Sequence, residues 1–157
     1  MPRLYIAAVG EKLPGWATEA CNDYLKRLPR DYEAALVEVR AEPRTTGKSV
    51  QQLMAAEAKR LRVALPRGAR LVGLDEHGKD LTTAQFSAKV RAWLDSGTAT
   101  AFLIGGPDGL DPSLKEDCET LLRLSSFTLP HALARAVFAE QLYRASSVLT
   151  GHPYHRQ

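Results

Sequence analysis

"TATAFLIGGPDGL" (residues 98–110) is the stretch on which the fold turns. Its first seven residues form a strand-length run broken by nothing more polar than threonine, and it stops at Gly105-Gly106-Pro107 with Gly109 just beyond. A strand with one wet face alternates apolar and polar residues; an unbroken apolar run fits a strand covered on both faces. Such strands pair in parallel, and parallel neighbours require crossover connections, usually helices. The glycines at the end of the run serve a different purpose. They let another group come close to the main chain.

Outward from this stretch, strands and helices alternate. "ARLVGL" (69–74) is a second nearly all-apolar strand, and "RLYIAAVG" (3–10) and "EAALVEV" (33–39) read as two more. "SSFTL" (125–129) reads as a short last strand. Trp16, Ala17, Ala20, Cys21, Tyr24, Leu25 and Leu28 recur at helical spacing, which places Cys21 in the core. Leu53, Leu61, Ala64 and Leu65 mark a second helix, and Phe86, Val90, Trp93 and Leu94 a third. "DPSLKEDCETLL" (111–122) opens as a helix, with Asp111 as cap and Pro112 at the first helical position. A long helix runs from about Ala132 to Thr150, its apolar stripe including Val137, Phe138, Leu142 and Leu149, with Arg135 and Arg144 at the edges. Glu140 and Arg144, four apart, read as a surface pair of small value. "RAEPRTTGKS" (40–49) is a polar loop expected to be mobile. With no internal repeat and no linker, the pattern predicts one α/β domain over 1–157, a parallel-type sheet flanked by helices.

Composition narrows the function classes. The 157 residues are 45% hydrophobic and 25% charged, enough for a core without disulfides or metal. No apolar run approaches the roughly 18 residues of a membrane span, and "MPRLYIAAVG" is too short an apolar stretch for a secretory signal. Cys21 and Cys118 form no CxxC, so a reducing cytoplasm is expected. A net charge of +3 permits an anionic partner without demanding one.

In parallel sheets the ligand sits outside the carboxyl ends of the strands. Three ends stand out: Leu74 followed by Asp75 and Glu76, Gly105, and Leu129 followed by Pro130 and His131. A dinucleotide fingerprint is missing after the first strand, where Gly10 stands alone, and GxxxxGK[ST] is absent. By itself GGPDG is compatible with a simple tight turn. The tail "HPYHRQ" (152–157) crowds two imidazoles, a phenol and a guanidinium beyond the last helix. His152 and His155 lack a third ligand nearby, so no metal is expected; aromatic and cationic groups in sequence suit base stacking and phosphate.

Four motifs in order, "LIGGPDGL", "FTLPHALAR", "AEQLYRA" and "HPYHR", with "LYIAAVG" at the start, resemble the ribosomal RNA large subunit methyltransferase H family of the SPOUT superfamily over the whole chain. The resemblance implies an α/β trefoil knot in the C-terminal half and a homodimer whose site is shared between subunits. It implies transfer of a methyl group from S-adenosylmethionine to N3 of a pseudouridine in 23S rRNA of the assembled 70S ribosome, with no membrane and no metal involved. By the same resemblance Leu74, Gly105 and the segment Leu124, Ser125, Ser126, Phe127, Thr128 and Leu129 touch the cofactor, mostly through main chain. The resemblance also implies that Tyr154, His155 and Arg156 serve the substrate side as catalytic residues. Abstraction of the N3 proton calls for a base or a nearby cation. His155 or His131 fits the first role, and Arg135 or Arg156 the second. Two other readings compete: a flavodoxin-like enzyme using another nucleotide, and a non-catalytic ribosome-associated RNA-binding dimer.

Overall fold

The computed structural model describes residues 2–155, with side chains through Tyr154. In chain order the elements are β1 (Leu4–Val9), α1 (Gly15–Arg27), β2 (Ala35–Val39), α2 (Val50–Ala64), β3 (Arg70–Lys79) and α3 (Thr83–Asp95), then β4 (Thr100–Ile104), α4 (Pro112–Asp117), β5 (Thr120–Leu122) and α5 (His131–Thr150). A single 3-10 turn follows at Pro153–His155. The five strands form one sheet in the order β2-β1-β4-β3-β5, and every neighbouring pair is parallel.

The unbroken apolar runs occupy the middle of the sheet, as their composition requires. Every residue of β1 and of β4 is buried. Alternate side chains feed two separate cores. Ile6, Ala8, Phe102 and Ile104 point toward Phe86, Trp93, Phe138 and Leu142, the layer that α1, α3 and α5 supply. Tyr5, Ala7, Val9, Ala101 and Leu103 meet Ala58, Leu61 and Leu114 of α2 and α4 on the other side. Phe102 is the hinge pin of the first core, with ring centroids 5.0 Å from Phe138, 5.8 Å from Trp93 and 6.2 Å from Phe86. The helix starts are chemically specified: Ser49 with Gln52 and Thr82 with Gln85 form reciprocal capping boxes, and Asp111 caps α4 ahead of Pro112.

The last strand is not where the alternation of 125–129 predicts it. The helix that opens at Pro112 ends at Asp117, Cys118 turns extended, and Thr120–Leu122 pairs with β3. Gly73 makes this possible: a side chain there would meet the Leu121 Cδ2 at 2.8 Å and the Leu110 Cδ1 at 3.0 Å. Ser125–Leu129 is a loop whose apolar members find no sheet neighbour, and Phe127 is 82% exposed. β3 also runs beyond Leu74 to Lys79, with a register shift against β5 between those two residues.

The segment 40–49 is likewise more ordered than its polarity suggests. Glu42 accepts from Lys48 and Arg60, its amide donates to Glu57 (3.0 Å), and Arg44 spans Glu57 on α2 and Asp108 (2.9 Å) beyond β4. These ion pairs fix the loop against α2, so its charges act as clamps rather than as a solvated tether.

Candidate active site

The carboxyl ends of β3 and β4 and the loop leading into α5 enclose an open cleft of about 660 Å³. Leu74, Gly105 and the whole segment Leu124–Leu129 lie on its walls, so the three chain regions singled out from the sequence do converge. The third is a loop, which presents its backbone amides and carbonyls free of any sheet ladder. A smaller pocket of about 60 Å³ lies between α3 and α5 and shares Leu74 and Leu124 with this cleft.

The glycines of the β4 exit have distinct duties. A side chain on Gly105 would run into the backbone of Gly109 (2.4 Å to its carbonyl carbon) and of Leu110 (2.7 Å to its nitrogen). The missing Cβ at 105 therefore makes room for the turn's own main chain rather than for a ligand directly. Gly106 and Gly109 close that turn, with the Gly109 amide donating to the Gly106 carbonyl at 3.0 Å. Gly109 adopts φ +85°, where a side chain is strained. Asp108 at its tip is tied to Arg44.

Charged groups stand at the rim. Asp75 accepts from the His77 amide (3.0 Å) and pairs with Lys115 of α4 (2.8 Å). Burial alone raises the Asp75 carboxyl, but the Lys115 ammonium and the His77 amide outweigh it and hold it below the usual range.

Beside His131, which lines the cleft, Arg135 overturns the expectation of a residue at a helix edge. It is 0% exposed. Its guanidinium pairs with Glu38 of β2, donates to the Gly10 carbonyl at 2.8 Å and lies 2.8 Å from the His131 Nε2. A guanidinium so enclosed is not available to an incoming phosphate or a base anion. His131 lines the cleft, and burial followed by the Arg135 charge lowers its pKa, while a hydrogen bond with the Gly105 backbone opposes the shift. Because the guanidinium only donates, the Nε2 must accept, and that lone pair is not free to take a substrate proton. Glu38, Gly10, Arg44 and Lys115 were missed in the sequence, where each reads as an ordinary surface or turn residue.

His152, Pro153 and Tyr154 of the tail do not line this cleft. Gly151 at φ +72° turns the chain back, and the Tyr154 hydroxyl donates to Glu140 at 2.7 Å. Its ring stands edge-on to Tyr143 (4.6 Å) with the Arg144 guanidinium above it (5.0 Å). Glu140 and Arg144 are thus half-buried supports of the tail rather than a free surface pair. Burial and then the Glu140 carboxylate raise the Tyr154 phenol, which stays protonated. Arg156 and the side chain of His155 lie outside the described residues.

The family model described as "Predicted SPOUT methyltransferase" matches residues 3–155. The chain belongs to the SPOUT methyltransferase family. It is 54% identical over 154 residues to the ribosomal RNA large subunit methyltransferase H of Bordetella pertussis, covering 98% of this chain and 99% of that one. It is 54% identical over 155 residues to the protein of the same name from Methylibium petroleiphilum, covering 99% of both. Among solved structures, a probable methylase family protein from Haemophilus influenzae superposes with a TM-score of 0.60 at 13% identity, over 99% of this chain and 71% of that one, a likeness of fold. The SPOUT assignment makes the protein an enzyme that uses S-adenosylmethionine, and the flavodoxin-like and non-catalytic readings give way to it.

Proposed function

We propose that this protein, as a single methyltransferase domain, transfers the methyl group of S-adenosylmethionine to N3 of a pseudouridine in 23S rRNA of the assembled 70S ribosome, acting in the cytoplasm as a homodimer. The observation that carries the reading is identity of 54%, end to end, with enzymes named for methylation of large-subunit ribosomal RNA. Among the described residues no helix is long and apolar enough to cross a membrane.

The cleft suits the cofactor chemically. Its walls at Gly105 and along Leu124–Leu129 offer main-chain amides for an adenine edge and carbonyls that tolerate a sulfonium cation. When bound, S-adenosylmethionine supplies an electrophilic methyl group. The chain's task is alignment, a contribution of several kcal/mol when reacting atoms are held in line. Leu74 and Leu124 form the apolar flank, and the Gly105–Gly109 turn fixes the approach from β4. The knot of the family fold, in this reading, is formed by the chain between β4 and α5.

Tyr154 sits on α5 of its own chain and does not line the cleft. This supports a dimer in which one subunit's Tyr154, His155 and Arg156 complete the substrate side of the other subunit's site. With His131 and Arg135 already engaged, the base and the stabilising cation are His155 and Arg156. The test uses ribosomes lacking this modification, incubated with the protein and methyl-labelled cofactor. Label on a pseudouridine of 23S rRNA, located by mass spectrometry of nuclease fragments, is the expected result. Label on another nucleoside, or on free rRNA alone, overturns the assignment.

A further inference from the structure

Around the Arg135 guanidinium the structure joins three separate segments: Gly10 at the end of β1, Glu38 in β2, and His131 with Arg135 on the first turns of α5. His131 in turn lines the same cleft as Gly105 at the end of β4. Gly10 adopts φ +122°, and a side chain there would meet the Arg135 Nη2 at 3.4 Å and the His131 Nε2 at 3.7 Å. The cluster is closely fitted, and only the Arg135 Nε lacks a partner among the described residues.

Arginine does not lose its proton in proteins, so the tautomer of His131 is dictated. Its Nε2 presents a lone pair to Arg135, and its Nδ1 carries the ring proton. The neutral ring is thus a strut with a donor at one end and an acceptor at the other. We infer that His131 is a positioning residue, whose neutral imidazole on the cleft wall is held by buried Arg135, and that protonating this ring loosens the cofactor cleft. The inference rests on the cofactor reading of that cleft.

Protonation removes the lone pair and sets two cations 2.8 Å apart. The ring must then turn away from Arg135 within the cleft wall that it lines, while adding positive charge to a cleft that receives a sulfonium. The charged groups facing the ring are Arg135 on its own helix and, behind it, Glu38 of β2. Cys21 of α1 also faces that pair, but burial pushes its thiol up and keeps it neutral. Gly10 and Gly105 contribute backbone only. The folded-state pKa of His131 lies below its unfolded value of about 6.5, so the unfolded chain takes up the proton first. Stability and cofactor affinity both fall as the solution is acidified through that region, and both are fully present above it.

The experiment is calorimetric titration of the full chain with S-adenosylmethionine from pH 8 to pH 5, on the wild type and on His131→Gln. Gln retains an acceptor for Arg135 and has no proton to gain. Wild-type affinity is expected to fall with a limiting slope approaching tenfold per pH unit once the ring titrates. His131→Gln is expected to bind more weakly at pH 8, with that slope removed. Nitrogen-15 NMR of the wild-type imidazole is expected to show the Nδ1–H tautomer at pH 8. A flat wild-type curve, a slope that survives in His131→Gln, or an Nε2–H tautomer overturns the inference. If the variant fails to fold, the wild-type curve and tautomer still decide. No wild-type binding at pH 8 would instead overturn the cofactor reading and this inference with it.

Discussion

Replacing Gly105 by alanine adds one methyl group in a place where the contact is with backbone. The new carbon would stand 2.4 Å from the Gly109 carbonyl carbon and 2.7 Å from its oxygen, about 1 Å inside ordinary contact. Neither atom belongs to a side chain that can rotate away, so the Gly106–Gly109 turn has to open. Overpacking of a fixed environment costs typically 1–3 kcal/mol, and contact with main chain puts this case at about 3. For a domain of this size that is a fall in Tm of roughly 6–12 °C. Gly109→Ala is the control: it meets nothing within 4 Å but holds φ +85°. Its cost is the left-handed strain alone, about 1–2 kcal/mol. Thermal unfolding of both variants, with calorimetric titration of S-adenosylmethionine, is the assay. Gly105→Ala is expected to unfold at the lower temperature and to lose cofactor affinity to a greater extent. A Gly105→Ala protein as stable as Gly109→Ala would refute the assignment of this glycine to the turn's own packing.

Arg135→Met strips Glu38 of its partner; Glu38 keeps some solvent access, so the loss is expected at the low end for broken ion pairs, about 3 kcal/mol, read from denaturant midpoints. An unchanged midpoint would mean that the network contributes nothing. Burial pushes the Cys118 thiol up to about 11, so alkylation of the folded protein at pH 8 should run on the order of a hundredfold slower than in denaturant. Equal rates in the two states would contradict the burial. Deletion of residues 152–157 removes the contacts of Tyr154 with Glu140, Tyr143 and Arg144. It should lower Tm by a few degrees for a loss of about 1–2 kcal/mol while abolishing methylation and sparing cofactor affinity. Full methylation by the truncated protein would remove the tail from the mechanism.

The middle of the sheet was legible because two-sided burial writes an unbroken apolar run, as at Phe102-Leu103-Ile104 and Ile6-Ala7-Ala8. The edge was not. β5 is three residues long and exists because Gly73 leaves space for Leu121, a tertiary fact with no local signature. The walls of the cleft were legible from the rule that ligands lie beyond strand ends, although Ser125–Leu129 reaches the cleft as a loop. Arg135 was illegible for a different reason. Its partners Glu38 and Gly10 lie 97 and 125 residues away, and an arginine on a helix carries no mark of being enclosed. The return of the tail onto Glu140 depends on the turn at Gly151, which the sequence shows only as one more terminal glycine.

The strand order has a consequence for how the chain is made. Ile6 lies beside Phe102, and among the described residues β3 pairs with β4 and β5, both synthesised after it. The central strand of the sheet is therefore one of the last to emerge. At about 5–20 residues per second, β1 waits roughly 5–20 s for it. During that interval β1 has β2 on one side and an open, wholly apolar edge on the other. Nascent strands with such edges pair readily with the wrong partner. The same insertion that seats the glycine turn in the middle of the molecule thus makes the growing chain vulnerable until its second hundred residues begin.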